Sequence, residues 1–204
     1  EGLIHRDRFT GMFGLVGLAD AVNILMTKEG KNDRFGHSDA ATQLGVEIMD
    51  IINDFNNNHF NKYCEGTGGH FLLHAQVGIA EDKGIAPGTR IPIGEEPEEL
   101  VDHLDVISHF HKYFVSGTGD IFPMDLTVHK NPEYVLDIIK GSWQKGIRYL
   151  SFYSSESDVI RITGYLVKRS EIEKYEQGIA VLQNTTQLGT GAKKNGKILE
   201  RKVR

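Results

Sequence analysis

Hydrophobic residues follow a helical period over much of this chain. Five segments predict helices, because apolar residues recur every three or four positions or because capping residues mark their ends. Ser38 and Asn131 are good N-caps, Pro132 suits the first helical position, and Gly146 suits a helix end. On the second helix, the residues expected on the buried side are Leu44, Ile48, Ile51 and Ile52. The predicted helices span residues 11–26, 39–55, 97–109, 132–145 and 170–177.

Shorter apolar runs between these helices predict strands. Residues 147–153 show the alternation and aromatic content of a strand, and residues 70–79 form a second strand-like run. Residues 159–167 form a third run, which only Gly164 interrupts. Helices that alternate with short buried strands indicate an α/β architecture.

Composition narrows the function classes. The 204 residues carry a net charge of -5 with acidic and basic residues interspersed, so we expect no nucleic-acid or membrane partner. Cys64 is the only cysteine, which excludes an internal disulfide and a multi-cysteine zinc site in this chain and favours the reducing cytoplasm. The chain starts at Glu1 within patterned sequence, and we therefore expect it to be the C-terminal part of a longer polypeptide.

Histidines and carboxylates supply candidate chemistry. His70 and His74 are four residues apart, a spacing that on a helix places two imidazoles on one face, as in zinc hydrolases. Phe71 stands where such sites carry glutamate, and the neighbouring glycines do not favour a helix, so we expect no metal site here. Glu65 and Asp120 lie beside glycine-rich turns, where they could act as acid–base groups or cap the turns.

Gly164 interrupts the last apolar run, between Arg161 and Tyr165. A glycine inside a strand usually marks a bulge, a bend or the close approach of another backbone. Its Cα also carries two hydrogens, so the loss of one leaves a radical that can flatten and delocalise onto both flanking peptide groups. A side chain on that carbon would crowd the planar geometry. The segment is therefore either a site for an organic radical or an ordinary strand that tolerates glycine.

Arg161, Ile162, Gly164 and Tyr165 resemble the signature of the glycyl radical enzymes, which also lies near the chain end in that family. Thr163 departs from the Ser, Cys or Ala that is more usual there. A weaker resemblance links the chain to the anaerobic ribonucleotide reductases. The whole chain resembles the YjjI-type glycine radical enzymes, through residues 12–18, 74–78, 91–97, 116–122 and 148–153.

This resemblance implies a fold and a domain organisation. Glycyl radical enzymes share a barrel of ten strands in two halves, and a glycine loop and a cysteine loop meet in its lumen. We expect residues 1–150 to form the second half-barrel, and residues 151–204 to form a C-terminal glycine radical domain with the Gly loop and a tail. His70, His74 and Gln76 would then face the lumen and bind a small polar substrate.

The resemblance also implies a mechanism. A separate activating enzyme, which uses S-adenosylmethionine and an iron–sulfur cluster, would remove a hydrogen from Gly164, so we expect no bound cofactor in this chain. The radical would pass to a cysteine and then to a substrate C–H bond, without oxygen, since oxygen would cleave the chain at Gly164. Arg161 and Tyr165 flank the radical residue. Cys64 is a weak candidate for the cysteine, because the family places that residue far upstream.

Two alternatives stay open. An anaerobic ribonucleotide reductase carries four cysteines in a metal site near its C-terminus, and this chain has one. A non-catalytic radical carrier would restore an oxygen-damaged partner, but such proteins lack the long segment that precedes residue 159. The sequence therefore favours a cytoplasmic enzyme of unknown substrate. We expect its partners to be a radical-SAM activating enzyme, a small-molecule substrate and a second copy of itself.

Overall fold

A computed structural model describes residues 2–75, 85–154, 158–162 and 165–179. The helices in these ranges are α1 (Leu18–Lys28), α2 (Asp39–Asn58), α3 (Leu100–Ser108), α4 (Pro132–Gln144) and α5 (Arg169–Glu176). The strands are β1 (Met12–Leu15), β2 (Leu72–Ala75), β3 (Phe122–Met124), β4 (Phe152–Ser154), β5 (Val159–Ile162) and β6 (Tyr165–Lys168). None of these helices combines the length and the apolar character that a membrane span needs.

The first sheet is a parallel pair, in which Met12 of β1 lies opposite Leu72 of β2. Parallel neighbours need a crossover connection, and α1 and α2 provide it. On β2, Leu73 and Ala75 belong to the same core cluster as residues of both helices. The main core therefore lies between this sheet and the two helices. Its buried residues are Leu18, Ala19, Val22, Met26, Phe35, Ala41, Met49, Leu73, Ala75, Ala86, Ile91, Phe110, Tyr113 and Phe114.

The predicted helix over residues 11–26 is wrong in its first part. The strand β1 occupies this part, and α1 begins only after Gly17. Gly17 has a left-handed backbone conformation, with φ of 80°, which separates the strand from the helix. The apolar residues of β1 pair with β2, a partner that lies beyond α2 in the sequence and that local spacing does not reveal. Gly11 allows the chain to pass close to β2, since a Cβ there would lie 2.4 Å from Phe71 Cε1.

The second predicted helix is confirmed, with a longer extent. The Ser38 side chain accepts the N–H of Ala41 at 3.1 Å, and α2 then continues to Asn58 rather than ending at residue 55. The expectation that Ile51 is buried is wrong, because its side chain is 71 % exposed. Leu44, Ile48 and Ile52 are partly buried against the main core, as predicted. The buried positions of the helix are Ala41, Thr42, Gly45, Met49 and Asn56.

The second sheet is also a parallel pair, with Phe122 of β3 opposite Phe152 of β4. The ring of Phe122 packs against His103 of α3, with centroids 4.8 Å apart, and forms a second core cluster. The predicted strand over residues 147–153 is only partly correct, because β4 spans Phe152–Ser154. Ile147 is buried ahead of the strand in the same cluster, so its apolar character reflects packing rather than strand pairing.

The capping signals locate α4 correctly. The Asn131 side chain accepts the N–H of Tyr134 at 3.3 Å, and Pro132 is the first helical residue. Gly146, with φ of 86°, follows the end of the helix as predicted. The predicted helix over residues 97–109 exists as the shorter α3.

Candidate active site

The sequence predicts one interrupted strand over residues 159–167, whereas the described residues there belong to two strands, β5 and β6. The strands β5 and β6 pair antiparallel, with Ile162 opposite Tyr165. Thr163 and Gly164 are the two residues between them, and both lie outside the described residues. The run forms two strands because the apolar residues on the two sides of Gly164 pair with each other. The pairing holds the two neighbours of the Thr163–Gly164 link side by side.

The other end of this hairpin is fastened to α5. Asp158 stands just before β5, and its carboxylate accepts the N–H of Ser170 at 3.3 Å and also the Ser170 hydroxyl. These hydrogen bonds from Ser170 lower the pKa of Asp158 below its usual value. Arg161 lies on β5 opposite Leu166 of β6. The hydrogen bonds of Asp158 therefore hold the start of β5 against α5, at the end of the strand pair away from Gly164 in the sequence.

His74 lies on β2 opposite Gly14 of β1. Since Leu73 and Ala75 belong to the core, the alternation of strand side chains places His74 on the other face of the sheet. Its ring is half-buried and makes no hydrogen bond to other described residues. His74 is therefore a polar group on the sheet face away from the core helices.

The other two predicted substrate residues differ from His74. His70 lies outside β2 and is exposed, and its ring packs edge-on against Phe60 with centroids 6.3 Å apart. Gln76 lies outside the described residues. In the described ranges, no three His, Cys, Asp or Glu side chains converge as metal ligands. The helical pairing of His70 with His74 does not exist, because His74 is part of a strand.

Cys64 is enclosed, with 2 % of its surface exposed. Its sulfur accepts the N–H of Gly11 at 3.2 Å, and the neighbouring hydroxyls of Thr10 and Thr67 lie 2.9 Å apart. These contacts join the turn at Cys64 to the segment before β1. Within the described part of the chain, no hydrogen bond links Cys64 to the β5–β6 hairpin. The arrangement favours a structural thiol over a redox thiol.

A buried cluster of charged and polar groups lies just before β3. Asp120 Oδ2 is 2.9 Å from Nε2 of His103, and Asp120 Oδ1 accepts the N–H of Ile121 at 2.7 Å. Arg90 Nε lies 3.7 Å from the same carboxylate and donates to the carbonyl of Gly119 at 2.6 Å. These side chains are at most 3 % exposed. A buried charge needs such partners, so Asp120 fastens the turn rather than working as an accessible acid–base group.

His111 is a second buried group, for which the sequence predicts no role. Its Nδ1 accepts the backbone N–H of Thr118 at 3.3 Å and that of Arg148 at 3.1 Å. Because Nδ1 is an acceptor, the neutral ring carries its hydrogen on Nε2, which has no partner among the described residues. Burial, and then the charge of Arg148, lowers the pKa of His111 from 6.5 to about 4, against an opposing effect of Asp120.

The protein is expected to lose stability as the pH falls from 6.5 to 4 because of His111. Above pH 6.5 the ring is neutral in both states, whereas in this window the unfolded chain takes up a proton that the folded ring does not. The resulting loss in the free energy of unfolding is on the order of 2 kcal/mol, after allowance for solvent screening. Urea unfolding at pH 7 and at about pH 4.5 measures it. His111→Asn, which does not titrate, should show a smaller difference, and an equal difference would contradict the prediction.

A cavity of about 890 Å³ lies between the starts of α2 and α3, and its lining does not include Cys64, Asp120 or His111. Arg34 and His37 face it, but both already bond to Glu95, through its carboxylate and its carbonyl respectively. None of the residues that the sequence singled out as a site lines this cavity. Its lining residues are Arg34, Gly36, His37, Ser38, Asp39, Thr42, Gly94, Glu95, Glu96, Pro97, Glu98, Asp102, Asp105 and Val106.

Comparison with known proteins identifies the family. Residues 1–204 match the family described as "Glycyl radical enzyme YjjI-like". The chain belongs to this family. An uncharacterized protein of Haemophilus influenzae is 46 % identical over 207 residues, and the "Uncharacterized protein YjjI" of Escherichia coli K12 is 41 % identical over 204 residues. Both alignments cover 100 % of this chain but only 40 % and 39 % of the relatives, so the chain spans about two fifths of their length.

Solved structures show the fold of this YjjI-like chain. An anaerobic ribonucleotide reductase covers 91 % of it with a TM-score of 0.60 and 15 % identity, and the match spans 35 % of that protein. The Thermotoga maritima anaerobic ribonucleotide reductase, solved with glycerol in its active site, covers 86 % with a TM-score of 0.55 and 16 % identity, over 33 % of its own length. The chain therefore shares its fold with these reductases, and the α/β class that the sequence predicts is confirmed.

Proposed function

We propose that this chain is the radical-carrying part of an oxygen-sensitive glycyl radical enzyme, with the radical stored on Gly164. The supporting observation is the family match over the entire chain, combined with an antiparallel strand pair that brackets Gly164 in the sequence. Residues 1–150 would supply half of a ten-stranded barrel, and residues 151–204 would supply the Gly loop and tail. The rest of the barrel would come from the longer protein that the relatives represent.

The proposed chemistry moves one hydrogen atom at each step. A separate activating enzyme, of the type that uses S-adenosylmethionine and an iron–sulfur cluster, would remove one Cα hydrogen from Gly164. A cysteine thiol would then give its hydrogen atom to the Gly164 radical, which restores glycine and leaves a thiyl radical. The thiyl sulfur would take a hydrogen atom from a substrate C–H bond. Arg161 and Tyr165, on the paired strands, would hold the two sides of the radical residue in place.

The described residues favour some roles over others. His74, on the sheet face away from the core helices, is the best placed of the three predicted substrate residues, and His70 and Gln76 are weaker proposals. Cys64 is poorly suited to be the thiyl cysteine, because its sulfur is enclosed and accepts the N–H of Gly11. We therefore expect that cysteine in the upstream part of the full-length protein. A homodimer and a cytoplasmic location remain part of the proposal.

Ribonucleotide reduction is the second candidate, because the solved structures that share this fold are anaerobic ribonucleotide reductases. Their sequence identity of 15 % and 16 % supports only a common fold. Incubation of the activated full-length protein with the ribonucleoside di- and triphosphates separates the two candidates. Formation of deoxyribonucleotides would establish the reductase, and their absence alongside a stable radical would favour another substrate. Metabolite profiling of the activated enzyme would then identify that substrate.

Electron paramagnetic resonance tests the proposed radical directly. Full-length protein, activated without oxygen by its cognate enzyme and S-adenosylmethionine, is expected to show a doublet, because the remaining Cα hydrogen splits the signal. Protein made with glycine deuterated at Cα should show one narrowed line, because deuterium couples far more weakly. A splitting that survives this labelling, or a spectrum without any protein radical, would rule out a glycyl radical.

A further inference from the structure

His111 contacts the two chain segments that lead into the parallel strands of the second sheet. Phe122 pairs with Phe152, and Thr118 and Arg148 each precede their member of this pair by the same number of residues. The backbone N–H groups of Thr118 and Arg148 both donate to His111 Nδ1. One ring nitrogen therefore bridges the two chain segments before their own ladder begins.

Gly117 and Arg148 both help to hold the His111 ring against the two backbone N–H groups. Gly117 has φ of 82°, and a Cβ there would lie 2.4 Å from Nδ1, so glycine is what lets the loop approach the ring so closely. The guanidinium of Arg148 donates to the carbonyls of Phe114 at 3.0 Å and Val115 at 3.3 Å, which closes the same loop. Only a ring without a proton on Nδ1 can accept hydrogen bonds from the two backbone N–H groups.

The strands themselves are too short to fix their register alone. β3 and β4 have three residues each, so few ladder hydrogen bonds hold them in step. A slip by one residue would turn every side chain of a strand to the opposite face. β4 ends at Ser154 and β5 begins at Val159, so the hairpin that brackets Gly164 in the sequence is the next described element after β4.

We propose that His111 is a positioning residue for the radical site, because its Nδ1 fixes the register of β4 against β3 and with it the point from which the hairpin leaves the sheet. The inference rests on the proposed function for the part that concerns Gly164. The bridge between Thr118 and Arg148 stands independently of that function.

Two substitutions of His111 test the bridge in the full-length protein. His111→Leu fills similar space but accepts no hydrogen bond, whereas His111→Asn keeps an oxygen acceptor near the position of Nδ1. Hydrogen–deuterium exchange with mass spectrometry follows the peptides that contain Thr118 and Arg148. The leucine variant should exchange about tenfold faster at both amides, and the asparagine variant should stay close to wild type. After anaerobic activation, the leucine variant should also give about tenfold less spin, because the hairpin is misplaced.

The pH dependence of exchange distinguishes the bridge from ordinary packing. Arg148 and Asp120 are the charged groups that act on the ring, and protonation of Nδ1 removes the acceptor. In wild type, exchange at Thr118 and Arg148, corrected for the intrinsic rate, should therefore accelerate as the pH falls towards about 4. His111→Asn should lack this acceleration. This comparison needs only wild type and the asparagine variant, so it decides the question even where the leucine variant does not fold.

Each outcome is decisive. Unchanged protection in the leucine variant, or corrected wild-type exchange that does not depend on pH, would overturn the bridge. Lost protection together with a full spin yield would overturn the link to the radical site. A wild-type protein that gains no spin would overturn the proposed function and that link together, while the exchange data would still judge the bridge.

Discussion

Gly164→Ala in the full-length protein is expected to abolish the radical signal, whereas Gly141→Ala should leave it unchanged. A methyl group on the radical carbon would crowd the planar geometry in which the unpaired electron delocalises onto both peptide groups. The activating enzyme would also meet a carbon with one hydrogen instead of two. The measurement is the spin count per polypeptide after anaerobic activation of equal amounts of each protein.

Gly141→Ala is a suitable control because it makes the same substitution at a glycine outside the proposed radical site. It lies on α4, and a Cβ there would meet nothing within 4 Å. Alanine at an exposed helical position should stabilise the protein by about 0.5–1 kcal/mol. A normal doublet from the Gly164 variant would place the radical on another residue.

Exposure to air gives a second test of whether the radical lies on Gly164. Oxygen adds to a glycyl radical and breaks the chain there, so activated wild type should yield two fragments that meet at Gly164. Mass spectrometry of both fragments locates the cut. The Gly164→Ala protein should stay intact under the same treatment, and intact wild type after loss of its doublet would contradict the proposed position.

Local signals in the sequence predicted the helices better than the strands. The caps at Ser38 and Asn131 act over three or four residues, so α2 and α4 could be located from sequence alone. β1 could not, because its partner β2 follows two intervening helices and its apolar residues fit a helical period equally well. The same limit explains the error over residues 159–167, where pairing across Gly164 makes two strands from one apolar run.

The residues of the candidate site also differ in whether the sequence could predict them. Gly164 belongs to a contiguous motif and could be proposed from a few residues. The buried cluster around Asp120 could not, because Arg90 and His103 come from distant segments and meet only in the folded chain. His111 likewise gains its role from two backbone N–H groups, which no side-chain pattern encodes.

Asp120→Ala is expected to cause a large loss of stability. The substitution removes the carboxylate that lies against Arg90 and His103, and leaves both buried groups with fewer partners. Loss of one member of a buried charged pair typically costs about 3–5 kcal/mol in the free energy of unfolding. Asp120→Asn retains an oxygen for the His103 contact but removes the charge, so its cost should be smaller, about 1–3 kcal/mol. Urea unfolding at pH 7 measures both.

Asp137→Ala is the matched control, because it removes the same side chain from an exposed pair on α4. The side chains of Asp137 and Lys140 are 75 % and 67 % exposed, with the charged atoms 3.5 Å apart. Solvent screens such a pair, so its loss should cost less than about 0.5 kcal/mol. Equal costs at Asp120 and Asp137 would show that burial does not strengthen the interactions of Asp120. A larger cost confined to Asp120 would mean that the turn before β3, and hence the start of the second sheet, depends on one carboxylate.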